Sequence, residues 1–245
     1  MLNVIALALL PALILLYYTY EQDKLQREPL RQIAKGFGYG CLSVFCSLLV
    51  STPLMMLGWI PAEINSFGSA VGTAFFGAAI PEESAKLLCL WLLLRRNPYF
   101  DERMDGIVYA VCVGLGFAAF ENLEYLLAAD TQWVTTGIGR SLTAIPGHFA
   151  FAVIMGYYYS LNHFDADKDA KWKMWLFPVL AHGLYDSIAM LAEFNEQISG
   201  IITIAVLLLV FRMVKLARRR MQRHLAADAF DKVRQFQSPD EIDEQ

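Results

Sequence analysis

The sequence predicts an all-α, polytopic membrane helix bundle of about seven transmembrane helices, with the N-terminus outside and the C-terminus in the cytoplasm. Three observations predict it. Of 245 residues, 56% are apolar and only 18% are charged, a membrane composition rather than that of a soluble domain. The charges cluster between seven apolar runs, most of them near the roughly 20 residues that cross the hydrocarbon as a helix. The bases also alternate: the segments 21–35, 95–105 and 163–173 and the stretch from Arg212 onward hold every Lys and Arg except Lys86 and Arg140. The positive-inside rule assigns those segments to the cytoplasm.

The runs follow in order. The first, 2–20, is interrupted by Pro11; with no base before it and no small-residue cleavage site after it, it reads as an anchor and not a secretory signal. The second, 36–60, opens with Gly36, Gly38 and Gly40, which allow close helix approach, and Pro53 allows a bend. A short loop at 61–67 leads to the third run, 69–94, which stops at Arg95-Arg96-Asn97-Pro98. The fourth is 106–128, followed by a short loop at 130–136. The fifth is 141–162, the sixth 174–191, and the seventh, after a loop at 193–197, is 198–211. Snorkelling at Arg212 and Lys215 extends this last, short run. Residues 1–211 are expected to form the membrane-embedded domain. Residues 212–245 are expected to form a cytoplasmic tail, first basic and placed on the anionic inner leaflet, then acidic from Pro239. The net charge of −4 gives no sign of nucleic-acid binding. Cys41, Cys46, Cys89 and Cys112 match no metal or redox spacing and read as packing residues. Most of the Phe, Tyr and Trp residues read as lipid-facing or interfacial.

Chemistry enters with the third run. Glu82, Glu83 and Lys86 lie at its middle, where each charge costs roughly 2.5–3.5 kcal/mol on insertion scales, so the trio has a use. Glu82 and Lys86, four apart, share a helix face, while Glu83 points about 100° away from Glu82 and has a different job. Three more runs carry polar groups: Phe117-Ala-Ala-Phe-Glu121-Asn122 in the fourth, Pro146-Gly147-His148 in the fifth, and His182-Gly-Leu-Tyr-Asp186 in the sixth. At 1.5 Å per residue, all of these fall in one slab roughly 10 Å deep, which points to a single site built from four helices. Glu82, Glu83, Glu121 and Asp186 face one Lys86, so either several carboxyls hold protons or a cation is bound. Two imidazoles with a carboxylate are the ligand set of catalytic zinc, and a separate glutamate can take the proton from a zinc-bound water. Arg140 lies near the outer surface and reads either as a residue that snorkels or as one that binds substrate backbone.

These motifs resemble the EExxK, FxxxEN, H and HxxxD series of the PrsW family of membrane-embedded proteases, related to the CAAX protease and bacteriocin-immunity superfamily. The resemblance covers about 69–191. It implies endopeptidase cleavage of a membrane protein, such as a single-span one, near the outer half of a bacterial cytoplasmic membrane, as in the first cut of an anti-sigma factor. Glu121 stands where the wider superfamily carries the histidine of its FxxxH motif, which leaves open zinc or a metal-free glutamate mechanism. On this reading Glu82 or Glu83 activates water, and the other pairs with Lys86. Glu121, His148 and His182 hold zinc, and Asn122 and Asp186 fix these groups and stabilise the oxyanion. A proton-coupled transporter or channel using the same Glu, His and Asp residues is the alternative; the internal repeats usual in transporters are not evident.

Overall fold

The computed structural model describes residues 1–61, 63–194 and 197–237, and no strand occurs among them. The acidic stretch at 239–244 and part of the loop at 193–197 lie outside the described residues. The helices are α1 (Leu2–Gln22), α2 (Leu30–Met56), α3 (Phe67–Gly72), α4 (Ile80–Leu94), α5 (Arg103–Ala128), α6 (Trp133–Leu142), α7 (Ala144–Phe164), α8 (Ala170–Phe194) and α9 (Ser199–Gln237). A π-helical segment, Thr73–Ala79, joins α3 to α4, and a single 3₁₀ turn, Asp130–Gln132, precedes α6. Six helical stretches among the described residues are long and apolar enough to cross a membrane: α1, α2, α5, 130–164, 170–192 and 199–234.

The third apolar run is therefore not one regular α-helix. Its backbone stays helical from Phe67 to Leu94 but widens over Thr73–Ala79, where the Ile80 amide donates to the Phe75 carbonyl five residues back. Pro81 supplies a local cause. Its ring would strike the carbonyl of Gly77 in a tight α-turn, and it has no N–H to donate. The wider turn relieves both problems immediately before the glutamate pair.

The turn after α5 also differs from the expected loop at 130–136. Asp130 adopts a left-handed φ of 45°, which a short polar side chain tolerates, and helix resumes by Trp133. α6 then breaks at Thr143 (φ −123°, ψ −67°). α7 restarts with Pro146 in its first turn, where a missing N–H costs no intrahelical bond. This kink brings Arg140 and His148 to the same end of α5.

α5 is the centre of the bundle. Its apolar window is 83% buried, against 22% for α1 and α2, and it packs against α1, α2, α4, α6, α7 and α9. Phe117, Phe149, Phe151 and Tyr109 are fully buried, so the large rings along α5 and α7 fill the core rather than face lipid. Outward faces such as Leu48, Leu49, Ile201, Leu208 and Phe211 remain apolar and exposed, as lipid-facing surfaces are. Small residues set the helix separation. A β-carbon at Gly40 would lie 2.2 Å from the Val113 carbonyl oxygen, and one at Gly116 would lie 2.1 Å from that of Phe37. The glycine face of α2 is thus spent inside the chain, on α5. Gly38 points into open space and takes no part.

α9 runs through 211 and 212 without a break. Met213, Ala217 and Met221 on its second half belong to the main core cluster. Asp228 accepts hydrogen bonds from the Arg103 and Met104 amides (3.1 and 2.9 Å), and Arg103 also pairs with Asp165 (2.5 Å) and Asp231 (2.6 Å). One arginine thereby ties the start of α5 to the ends of α7 and α9.

Gly116→Ala would push a β-carbon into a backbone oxygen that cannot swing aside. We expect it to cost about 1–3 kcal/mol, read as a lower melting temperature in detergent. Gly38→Ala should stay within about 0.5 kcal/mol of the parent.

Candidate active site

The four polar motifs converge. Glu82, Glu83 and Lys86 occupy the first two turns of α4, directly after the widened segment. α5 contributes Glu121 and Asn122, α7 His148, and α8 His182 and Asp186. The spacing within each motif explains the local geometry. Phe117 and Glu121 are one turn apart on α5, so both face α7; His182 and Asp186 have the same relation on α8.

Lys86 is at the centre. Its ammonium donates to Glu83 Oε1 at 2.8 Å and to Glu82 Oε2 at 3.2 Å, and lies 3.2 Å from His148 Nδ1. The Phe117 ring covers it, with the ammonium 3.9 Å from the ring centroid. An ammonium has protons to give and no lone pair. His148 Nδ1 is therefore the acceptor, which leaves Nε2–H to donate to Glu121 Oε2 at 3.1 Å. His182 presents Nδ1 to Glu83 Oε1 at 2.9 Å and Nε2 to Asp186 Oδ2 at 3.1 Å, and its ring stacks on Phe151. Each imidazole thus has one nitrogen facing the centre and the other against an outer carboxylate. The outer carboxylates orient the rings as they do for ligating histidines, but the inner nitrogens are engaged, His148 Nδ1 by the Lys86 ammonium and His182 Nδ1 by Glu83 Oε1, so a metal would take the place of both contacts.

Arg140 was read from sequence as an interfacial residue. Instead its guanidinium donates to Glu121 Oε2 (2.7 Å) and to Asn122 Oδ1 (2.9 Å), and stacks over Tyr125. The kinked α6–α7 connection is what carries it inward. The signal was present: Arg140 and Lys86 are the only bases outside the four basic segments. Asn122 is fully buried, donates to the Ala8 carbonyl at 3.2 Å and accepts from Arg140. Its amide therefore ties α1 to Arg140 and does not face the imidazoles.

One ligand atom from each of Glu82, Glu83, His148 and His182 lies within 4.8 Å of the others. Glu83 Oε2 is buried with no hydrogen-bond partner, a costly arrangement unless something else meets that oxygen. A nitrogen and oxygen donor set with an orphaned carboxylate oxygen fits a zinc-like cation. Glu121 lies outside this group, behind His148. A small cavity of about 80 Å³ opens beside the cluster, lined by Glu82, Glu121, Arg140, His148, Tyr185 and Asp186 among others. It is large enough to admit water. Glu82 lines it; Glu83 does not.

Comparison with known proteins agrees with the motif pattern. Residues 28–214 match the model of a family described as PrsW family intramembrane metalloprotease. The chain is 34% identical over 220 residues to the Protease PrsW of Geobacillus kaustophilus, covering 89% of this chain and 93% of the relative. It is 31% identical over 223 residues to that of Clostridioides difficile, covering 89% and 91%. The Bacillus subtilis protein is 32% identical over 191 residues, covering 77% and 83%. No solved structure matches the chain.

The Arg140–Glu121 pair should be measurable as a coupling. Arg140→Met leaves Glu121 without its guanidinium and is expected to lower the melting temperature, whereas Arg140→Met with Glu121→Gln should recover part of the loss. A double-mutant cycle should return a coupling of about 1–3 kcal/mol.

Proposed function

The chain belongs to the PrsW family of intramembrane proteases, and from that premise we propose that it is a zinc-dependent endopeptidase cutting a membrane protein within the outer half of the bilayer. It is an integral membrane protein, and a protease family implies a protein substrate in the membrane. The observation that carries the finer reading is the meeting of Glu82, Glu83, His148 and His182, ligand atoms within 4.8 Å of one another, beside a water-sized cavity.

His148 and His182 would hold the metal together with a carboxylate. The grouping of donor atoms favours Glu82 or Glu83 for that third place over Glu121, which orients His148 through its far nitrogen. When bound, the metal supplies a Lewis acid that makes water nucleophilic at neutral pH. Glu82 lines the cavity and is the better placed of the two glutamates to take a proton from the attacking water and return it to the departing amine. Lys86 holds Glu83, and would release His148 Nδ1 for the metal to bind. Asp186 fixes His182 as Glu121 fixes His148. Arg140, steadied by Asn122, lines the same cavity as Glu82 and supports the charge that develops on the carbonyl oxygen.

We also propose seven crossings, with the helical stretch 67–94 as the third, the N-terminus outside and the C-terminus in the cytoplasm. The distribution of Lys and Arg supports this. On that topology, residues 1–211 lie in the membrane and 212–245 form the cytoplasmic tail. The membrane is a bacterial cytoplasmic membrane, and the substrate is a single-span protein of the anti-sigma-factor kind. The transporter alternative finds no favour in a family of proteases.

The test is cleavage of a single-span reporter by the purified chain in liposomes, with metal analysis alongside. Glu82→Gln is expected to lower the rate by about 10²–10⁴-fold while keeping the metal. His148→Ala and His182→Ala should lose both metal and activity, with membrane insertion intact. Activity retained in Glu82→Gln, Glu83→Gln and both histidine variants would overturn the mechanism. Full activity in rigorously metal-free protein would remove zinc from it and leave the imidazoles to hold the water directly.

A further inference from the structure

A second group of buried acids lies at the opposite end of α5. Asp23 caps the C-terminus of α1, Glu102 caps the N-terminus of α5, and Asp105 stands in the first turn of α5. One carboxylate oxygen from each lies within 4.8 Å of the other two. Asp23 and Asp105 have no exposed surface, and Glu102 has 8%. Asp105 Oδ2 has work to do, accepting the amides of Asp101 (3.0 Å) and Glu102 (2.6 Å). The Glu102 side chain accepts the Asp105 amide in a capping box, but both oxygens of Asp23 and Oδ1 of Asp105 are buried without a hydrogen-bond partner.

Local countercharge is short. Glu28, also buried, adjoins the group and accepts a hydrogen bond from the Tyr109 hydroxyl. Lys232 of α9 pairs with Glu102. The neighbouring Arg103 guanidinium turns away, to Asp165, Asp228 and Asp231. Four carboxyl groups thus share one ammonium among the described residues. Capping explains one oxygen of Asp105; it explains nothing about Asp23, a wholly buried side chain with both oxygens unsatisfied and turned toward two other acids. Leaving such a group unpaired is among the most costly arrangements in a folded chain.

We propose that Asp23, Glu102 and Asp105 bind a hard divalent cation of the Ca²⁺ or Mg²⁺ class, which clamps the end of α1 to the start of α5. The donor set is all oxygen, which suits hard cations and not zinc. The site is separate from the Glu/His cluster: Asp105 and Glu121 are on one helix, about 24 Å apart at 1.5 Å per residue. A surface cavity of about 460 Å³, lined by Arg103, Asp228 and Lys232 among others, reaches the group at Glu102. α9 reaches the same place by its own contacts, Lys232 with Glu102 and Asp228 with the Arg103 and Met104 amides.

Mn²⁺ is the probe, because its magnetic resonance spectrum reports its ligands. The purified full-length chain in detergent is stripped with chelator and titrated with Mn²⁺. The expected result is a bound Mn²⁺ without coupling to ¹⁴N, displaced by Ca²⁺ or Mg²⁺ and retained when His148 and His182 are both changed to Ala. Asp23→Asn should weaken its binding by at least about tenfold, equivalent to about 1.4 kcal/mol. Should Asp23→Asn fail to fold, Glu102→Gln is read in its place, and the ¹⁴N test on the unmodified chain stands by itself. Absence of Mn²⁺ binding, which would mean that the acids hold protons instead, overturns the proposal. So does Mn²⁺ that couples only to ¹⁴N, or affinity unchanged in both acid variants.

Discussion

An ammonium cannot stand alone in a hydrocarbon slab, and the Lys86 ammonium is nearly inaccessible. Its three neighbours, Glu82, Glu83 and His148, together with the face of Phe117, draw on α4, α5 and α7. α8 joins through His182, which bonds the same oxygen of Glu83 that Lys86 does. Four helices thus meet at one charge. Removing any of them would leave an acid or a base unpaired where water cannot compensate. The polar centre depends on the bundle, and the bundle in turn has its helix pairing selected by that centre.

Apolar packing alone would not select it. Between lipid-soluble helices the hydrophobic effect offers little preference for one pairing over another, so close backbone approach and polar contacts decide. α5 supplies both. Gly116 lets α2 approach to backbone contact on one side, and Glu121 and Asn122 gather α7, α6 and α1 on another. The widened turn at Thr73–Ala79 immediately precedes the first turn of α4, where ordinary helical spacing sets Glu82 and Glu83 against Lys86. π-type turns often occur where a helix must present functional groups in this way.

The two ends of α5 carry unlike chemistry. Toward Glu121 the groups are mixed, imidazole with carboxylate, and the buried charges are largely matched. Toward Asp105 they are nearly all acidic, and burial with the charges of Glu102, Glu28 and Asp228 pushes the Asp23 carboxyl upward, opposed by Lys232. Glu28 is pushed the same way by burial, against the hydrogen bond from Tyr109. A centre of the first kind suits reactions of water, and one of the second kind suits a structural cation. A single central helix positions both.

Sequence by itself determined the helical membrane class, the approximate limits of α1, α5, α7 and α8, and which residues gather at the Glu/His centre. These are properties of composition and period: apolar runs long enough to span, bases gathered at alternate ends, and ionisable residues too costly to bury idly. Two partners one turn apart, as in Glu82 and Lys86 or His182 and Asp186, could be paired on paper because the helix fixes their spacing. Only the tertiary structure decided contacts between helices. It turned Arg140 inward onto Glu121, turned Asn122 toward Ala8, set Glu121 behind His148, and gathered Asp23, Glu102 and Asp105 from two segments whose charges look like ordinary solvated loop residues. The reason is physical. Periodicity reports which face of a helix a residue occupies, but the rotation and depth at which two helices meet depend on side chains distant in sequence, and on breaks such as those at Pro81 and Thr143.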